Sequence, residues 1–438
     1  MNTTCLYDVL VLWINFVIVA LPPRTIASYV ELLIGTIISG SGHITDALFE
    51  VGHQKNYSTY YYMLEQGKWA WLYVTKQFIR LITTFFSRVQ WNFIVDDFVC
   101  PRSSKNAPGA NWHHEHAQKP NRTKYIWGQQ WVALGLSLTW GKMSISLPLL
   151  LRLHKKVGNS SKITRAVSLI KLVLPWFNKT GKETFRCLVD AWYMKRTFIL
   201  VLLEKGVHAI GQVRKDTALF KQPVKIAASA RKRGAPKKYG NKLTQHEVEK
   251  LPLHKANLNI YGGCKQVTYR STNCIARFLK ALPVIAVWCK LPDKKDWILI
   301  LSTDLSLTTE QIIKFYARRW KIEPMFNEIK HSFGLIRAWE QTSQTLHRWV
   351  SMLCISYSLN RLLSVIAQAS KNQNFVPFIQ WRVNKPLTAG LVRKSLIFFF
   401  RHFSFLQLWE PKSKKLLLPT QLKNYNKWKN LSHLNKFI

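Results

Sequence analysis

The chain predicts an α/β fold in which a sheet presents acidic side chains at the ends of buried strands, with a small helical domain ahead of it. Three stretches carry that prediction. Residues 91–98 (WNFIVDDF) form an apolar strand ending in two aspartates, residues 183–189 form a strand that delivers Asp190, and residues 315–331 (FYARRWKIEPMFNEIKH) read as a helix carrying Glu323. Acids at strand ends can reach a metal outside the sheet, whereas capping the next turn or helix is their plainer use.

Taken in order, residues 9–21 (VLVLWINFVIVAL) are apolar except for Asn15 and too short for the roughly 20 residues of a bilayer span. They read as a buried first helix, and without a basic leader or small-residue cleavage site they do not suggest a signal peptide. Beyond Pro22 and Pro23, residues 25–39, 45–51 and 58–66 are apolar at helical spacing and separated by Gly or polar breaks, which suits a helix-turn-helix-like module. Its tyrosines Tyr57, Tyr60, Tyr61 and Tyr62 serve either as core or as contacts to a DNA backbone. A linking helix over 76–87 leads into the strand at 91–98.

The loop after that strand is rich in Pro, Asn, Gly and His and contains His113, His114, Glu115 and His116. Neighbours on a loop rarely supply three ligands to one tetrahedral ion, so no zinc site is expected there. Residues 125–140 and 143–153 read as two strands joined by a Gly-Lys turn, 162–177 as a helix, 193–205 as another, and 207–213 as a strand ending at Arg214. Residues 216–250 are a strongly basic loop whose Gly and Pro preclude a long helix. Short β runs fill 258–302 and read as a β insertion, residues 345–369 are an apolar helix, and the tail from Lys412 is basic again. The resulting division is a helical N-terminal DNA-binding domain (1–88), a catalytic domain (89–340) with its β insertion at about 217–302, and a helical C-terminal region with a basic tail (341–438).

Charge narrows the partner. Lys and Arg number 64 against 22 Asp and Glu, a formal net charge of +42 that points to a polyanion, held first through its phosphates. Hydrophobic residues at 47% and 18 tryptophans argue for a packed core over disorder. The seven cysteines are scattered with no CxxC pair, which suggests a reducing, cytoplasmic setting and neither a disulfide framework nor a zinc ribbon.

Within 315–331, Tyr316, Arg319, Glu323 and Lys330 fall at steps of three, four and seven. On one continuous helix they would share a stripe roughly 60° wide, so a phenol, a guanidinium, a carboxylate and an ammonium could face one partner bearing phosphate and metal. A surface helix with a salt-bridge ladder is the alternative. Three acids then follow in chain order: Asp96 or Asp97, Asp190 and Glu323. Converging carboxylates repel unless a cation neutralises them, and hard oxygen ligands favour Mg²⁺ or Mn²⁺ over zinc.

The Tyr-Arg-Glu-Lys spacing resembles the signature of bacterial insertion-sequence transposases with a DDE triad. WNFIVDDF, LVDAWY and AIGQVRKD resemble that family's first-aspartate motif, its second, and the arginine-bearing strand that follows. The resemblance implies a ribonuclease H-like catalytic domain, a triad of Asp96, Asp190 and Glu323 holding two Mg²⁺ ions, and DNA contacts from Arg214, Trp297, Tyr316, Arg319 and Lys330. Trp297 would stack on a flipped base. Phe98 departs from the small residue usual two places after the first aspartate, which keeps Asp97 a rival to Asp96 for the first ligand. The resemblance further implies cut-and-paste transposition on double-stranded DNA, terminal inverted repeats as substrate, a dimer on DNA and no membrane. A catalytically silent DNA-binding descendant and a non-transposing nuclease are the competing functions.

Overall fold

The computed structural model describes residues 5–86, 90–114, 123–140, 143–155, 161–177, 184–223, 237–291, 294–369 and 386–426. Five helices come first: α1 (Leu6–Ile18), α2 (Ile26–Ile38), α3 (Ile44–Val51), α4 (Tyr57–Glu65) and α5 (Trp71–Phe85). The central region follows as β1 (Gln90–Pro101), β2 (Ala110–His114), β3 (Tyr125–Trp140), β4 (Met143–Leu153), α6 (Lys162–Phe177), β5 (Phe185–Val189), α7 (Arg196–Glu204) and β6 (Val207–Val213). Then come β7 (Leu219–Phe220), α8 (Gln245–Glu249), β8 (His254–Ile260), β9 (Gly263–Ala276), β10 (Leu282–Lys290) and β11 (Ile298–Ser302). The chain closes with α9 (Thr309–Arg319), α10 (Ile322–Asn327), α11 (Ser343–Ala369), α12 (Ala389–His402) and α13 (Phe405–Leu408).

Strands β1 to β11 make one mixed sheet, ordered β2-β3-β1-β5-β6-β11-β10-β9-β7, with β4 also on β3 and β8 also on β9. β1, β5 and β6 run parallel, while β3 is antiparallel to β1 and β4 to β3. This arrangement is consistent with a ribonuclease H-like domain. The strands read as an insertion continue the same sheet, because β11 pairs antiparallel with β6 and hands on to β10 and β9.

Helices cover both faces, as buried central strands require. On one face Phe177 of α6 packs edge-on against Trp91 and Phe93 of β1. On the other, Ile322 of α10 lies over Gly135 of β3, and His347 of α11 meets the buried Trp131.

The first helices and the last share one hydrophobic core. Twelve of the thirteen residues of α2 are buried, far more than a one-sided amphipathic helix would hide. Polar ties reinforce the union: the hydroxyls of Thr36 and Ser356 bond each other, Trp349 Nε1 donates to Gly42 O at 2.8 Å, and Arg348 donates to the carbonyls of Met63, Leu64, Gly67 and Trp69. Gly42 (φ 82°) and Gly334 (φ 70°) touch backbone to backbone, and a Cβ on Gly42 would fall 1.9 Å from Gly334 O. Both the left-handed conformation and the lack of space demand glycine there.

Helix α1, expected to be buried, hides seven of its thirteen residues and leaves Leu12 exposed. Among the described residues α11 is the one helix long and apolar enough to cross a membrane, and 83% of its apolar window is buried inside the protein. None of the seven cysteines is in a disulfide.

Candidate active site

The site begins with strand register. β1 and β5 are parallel partners through Val95↔Val189, and β5 and β6 through Val189↔Gly211. One residue further along each strand, Asp96, Asp190 and Gln212 stand in a row across three neighbouring strands, about 4.8 Å apart per step. They face the layer formed by α9 and α10. From that layer Arg319 reaches Asp96 Oδ2 with Nη1 (3.4 Å) and Glu323 Oε1 with Nη2 (3.2 Å), so one guanidinium bridges two of the three acids. Tyr316 donates its hydroxyl to Gln212 Oε1 at 2.9 Å.

Electrostatics mark Asp96 as the strained member. Burial, above all, pushes its carboxyl up to about 7; the negative charges of Asp190 and Asp97 add to that, while the Asp97 N–H and Arg319 oppose it. Asp190 is better served, since its Oδ1 accepts the backbone N–H groups of Trp192 and Tyr193 at 3.1 and 3.2 Å. These bonds close the turn after β5. The helix that follows starts only at Arg196, so Asp190 caps a turn and not a helix.

A family model described as DDE superfamily endonuclease matches residues 32–272. The chain belongs to that superfamily. The match runs from α2 into β9 and includes Asp96, Asp97 and Asp190; Glu323 lies beyond it. No curated protein matches the chain.

In this DDE superfamily endonuclease the adjacent aspartates point to opposite faces, as strand alternation demands. Asp97 turns toward α6 and α7, where Lys162 Nζ contacts both of its oxygens at 3.0 Å, Gln130 Nε2 donates at 2.9 Å and Tyr193 OH at 3.0 Å. Tyr193 is fully buried, and burial followed by the Asp97 charge drives its phenol far above the ordinary range. Gln130, Lys162 and Tyr193 were not singled out from sequence; the signal for the last was its place three residues after Asp190.

The helix bearing Glu323 departs from expectation. It is not continuous: α9 ends at Arg319, α10 starts at Ile322, and a π turn occupies Glu328–Ser332. Pro324 explains the first break, since its ring excludes the carbonyl four residues back and it donates no N–H. Arg319 and Glu323 still face each other across one turn. Tyr316, however, is buried and turned to the sheet, and Lys330 Nζ rests over the rings of Phe98 (4.5 Å) and Phe326 (6.0 Å). The four residues therefore do not form one outward stripe. Phe98, its ring tilted against Phe326 with centroids 4.5 Å apart, is the floor on which α10 and Lys330 sit.

Arg214 is exposed just past β6 and pairs with Asp216 at 2.9 Å. Trp297 immediately precedes β11 instead of lying within it, and lines a cavity of about 480 Å³ with Lys215, Arg270, Trp288 and Lys295. Of the histidine cluster, His113 is buried with Nε2 against Gly128 O, His114 meets Tyr125, and Glu115 and His116 lie outside the described residues, as do residues 141–142, 224–236 of the basic loop and 427–438 of the tail.

Nucleases of this superfamily generally act with divalent metal ions. Among the described residues no three His, Cys, Asp or Glu side chains stand close enough to form a ready-made metal cluster. Asp96, Asp190 and Glu323 nevertheless fit such an ion. Desolvation and the neighbouring charge of Asp190 push the Asp96 carboxyl up to about 7, a guanidinium stands between it and Glu323 where a cation could stand, and the donors are hard oxygens.

Proposed function

We propose that the protein is a cut-and-paste DNA transposase, cleaving at the terminal repeats of its element and joining the freed ends to target DNA. The observation that carries this reading is the strand register that sets Asp96 beside Asp190, with Arg319 drawing Glu323 to the same face. These three acids would hold Mg²⁺ or Mn²⁺, which when bound activates a water or 3′-hydroxyl and stabilises the leaving oxygen.

The remaining work falls to the chain's own groups. Arg319, whose planar fork spans Asp96 and Glu323, would offer that fork to a phosphate, the geometry guanidinium favours. Tyr316 fixes Gln212 next to Asp190 and so stiffens the floor of the site. Lys330, seated on Phe98, offers a point charge to the flanking phosphates, and Arg214 adds another just past the end of the central strand β6. The cavity at Trp297 has indoles for walls and Lys215, Arg270 and Lys295 among its lining, which suits a base turned out of the duplex. Pairing two element ends calls for a dimer on DNA.

Incubation of the protein with its element's ends and Mg²⁺ tests the reading. Strand cleavage and joining should appear in wild type and vanish in Glu323→Gln with the fold and DNA affinity intact. Full cleavage by that variant rejects the assigned acid. Cleavage without joining indicates a simple nuclease, and tight binding without nicking indicates a silent binder.

A further inference from the structure

β1 stops at Pro101 opposite Gly128, but β3 extends back to Tyr125 and β2 pairs with that extension from Ala110 to His114. A two-stranded ribbon thus projects past the end of β1. Its register sets Trp112 opposite Trp127 and His114 opposite Tyr125, and period-two alternation puts these four rings on one face. Trp127 and Tyr125 are an even number of residues from Ala133, the cross-strand partner of Asp96, so this is the Asp96 face of the sheet. The rings meet edge-on, with centroids 5.7 Å apart for Trp112–Trp127 and 5.5 Å for His114–Tyr125. Beneath them the ribbon is anchored: His113 is buried on the reverse face, Trp127 Nε1 donates to Ser104 O, and Arg102 N donates to Trp127 O.

Trp112 and Tyr125 are nevertheless each 57% exposed, an aromatic ledge on a fixed support. The surrounding charge identifies what would cover it. From Phe98 to Lys182 the chain has fourteen Lys and Arg and a single acid, Glu115. Lys105, Lys124 and Lys155 are exposed, with Lys155 lying against Gly109 at the foot of the ribbon. Exposed rings flanked by exposed lysines match a ligand that offers phosphates and base faces together.

We propose that the β2–β3 ribbon is a stacking platform for an unpaired stretch of DNA, with Trp112 and Tyr125 taking base faces and Lys124 and Lys155 taking phosphates. Six residues separate Trp127 from Ala133 along β3, so the stacked bases lie about 20 Å from a phosphate at Asp96. Only this spacing rests on the transposase reading; stacking requires no cleavage.

Fluorescence anisotropy of the full chain with a labelled twelve-nucleotide oligothymidine and a duplex of equal length, in EDTA, tests the platform. Trp112→Ala should weaken single-strand binding about ten-fold, leave duplex binding within about two-fold and keep the salt slope; Trp112→Phe should restore most of the loss. Lys124→Ala should weaken both ligands and flatten the slope. Unchanged single-strand binding in Trp112→Ala, or equal losses on both ligands, overturns the platform. The two readings fail separately. Trp112-dependent binding by a protein that never nicks DNA keeps the platform and rejects the nuclease, whereas Glu323-dependent cleavage with Trp112-independent binding does the reverse.

Discussion

The two faces of β1 treat neighbouring aspartates in opposite ways. Behind the sheet, Asp97 is met by an ammonium, an amide and a phenol, each within 3.0 Å, and its charge is answered. In front, Asp96 is half-buried next to Asp190, its charge met by the Asp97 N–H at 2.8 Å and a long contact to Arg319, and its carboxyl is pushed up to about 7. A satisfied carboxylate holds structure together. An undersupplied one stays folded only because the surrounding sheet over-determines it, and it gains most when a cation arrives.

Substitutions should separate the faces most sharply in cleavage. Asp96→Asn is expected to lower metal-dependent strand cleavage by about three orders of magnitude in a gel assay while raising the urea midpoint. Asp97→Ala should do its damage to the fold, costing about 3 kcal/mol in urea unfolding, since Lys162 is left half-hidden without its partner. Equal cleavage loss in both variants at unchanged stability would erase the distinction.

A pH series sharpens it further. The pKa of Asp96 is higher in the folded protein than its ordinary 3.8, so the folded state binds the extra proton. Its contribution to stability is full below pH 3.8 and is lost as pH climbs through about 7. Thermal melts without metal should therefore show Asp96→Asn matching wild type at acid pH and exceeding it by several degrees at pH 8. Mg²⁺ should narrow that gap by stabilising wild type alone. The smallest effect belongs to the exposed Arg214–Asp216 pair, where Arg214→Ala should shift stability by less than about 0.5 kcal/mol yet still weaken DNA binding in anisotropy.

Much of the sheet was legible in sequence. β3, β4, α6 and β6 have the expected limits because continuous apolar runs bounded by Gly, Lys and polar breaks leave little choice. Which layer Asp96 and Asp97 each face was not legible, because β1 is covered on both faces and alternation alone does not say which helices lie over which residue. Pro324 did signal the break between α9 and α10, but the spacing of Tyr316, Arg319, Glu323 and Lys330 masks it when read as one helix. The shared core of α2 and α11 rests on partners more than three hundred residues apart, such as Thr36 with Ser356, and no local pattern encodes such a meeting. Trp112 and Tyr125 were passed over for the histidines between them, whose adjacency drew attention to metal and away from the rings.

The dependence of α2 on α11 has a consequence during synthesis. Nearly every side chain of α2 needs a neighbour, and its largest late-made surface leaves the ribosome only after some three hundred further residues. The nascent polypeptide must carry an oily, unclosed amino-terminal half for most of its translation, and DNA reaching the basic ribbon early would meet a scaffold still waiting for its final buttress.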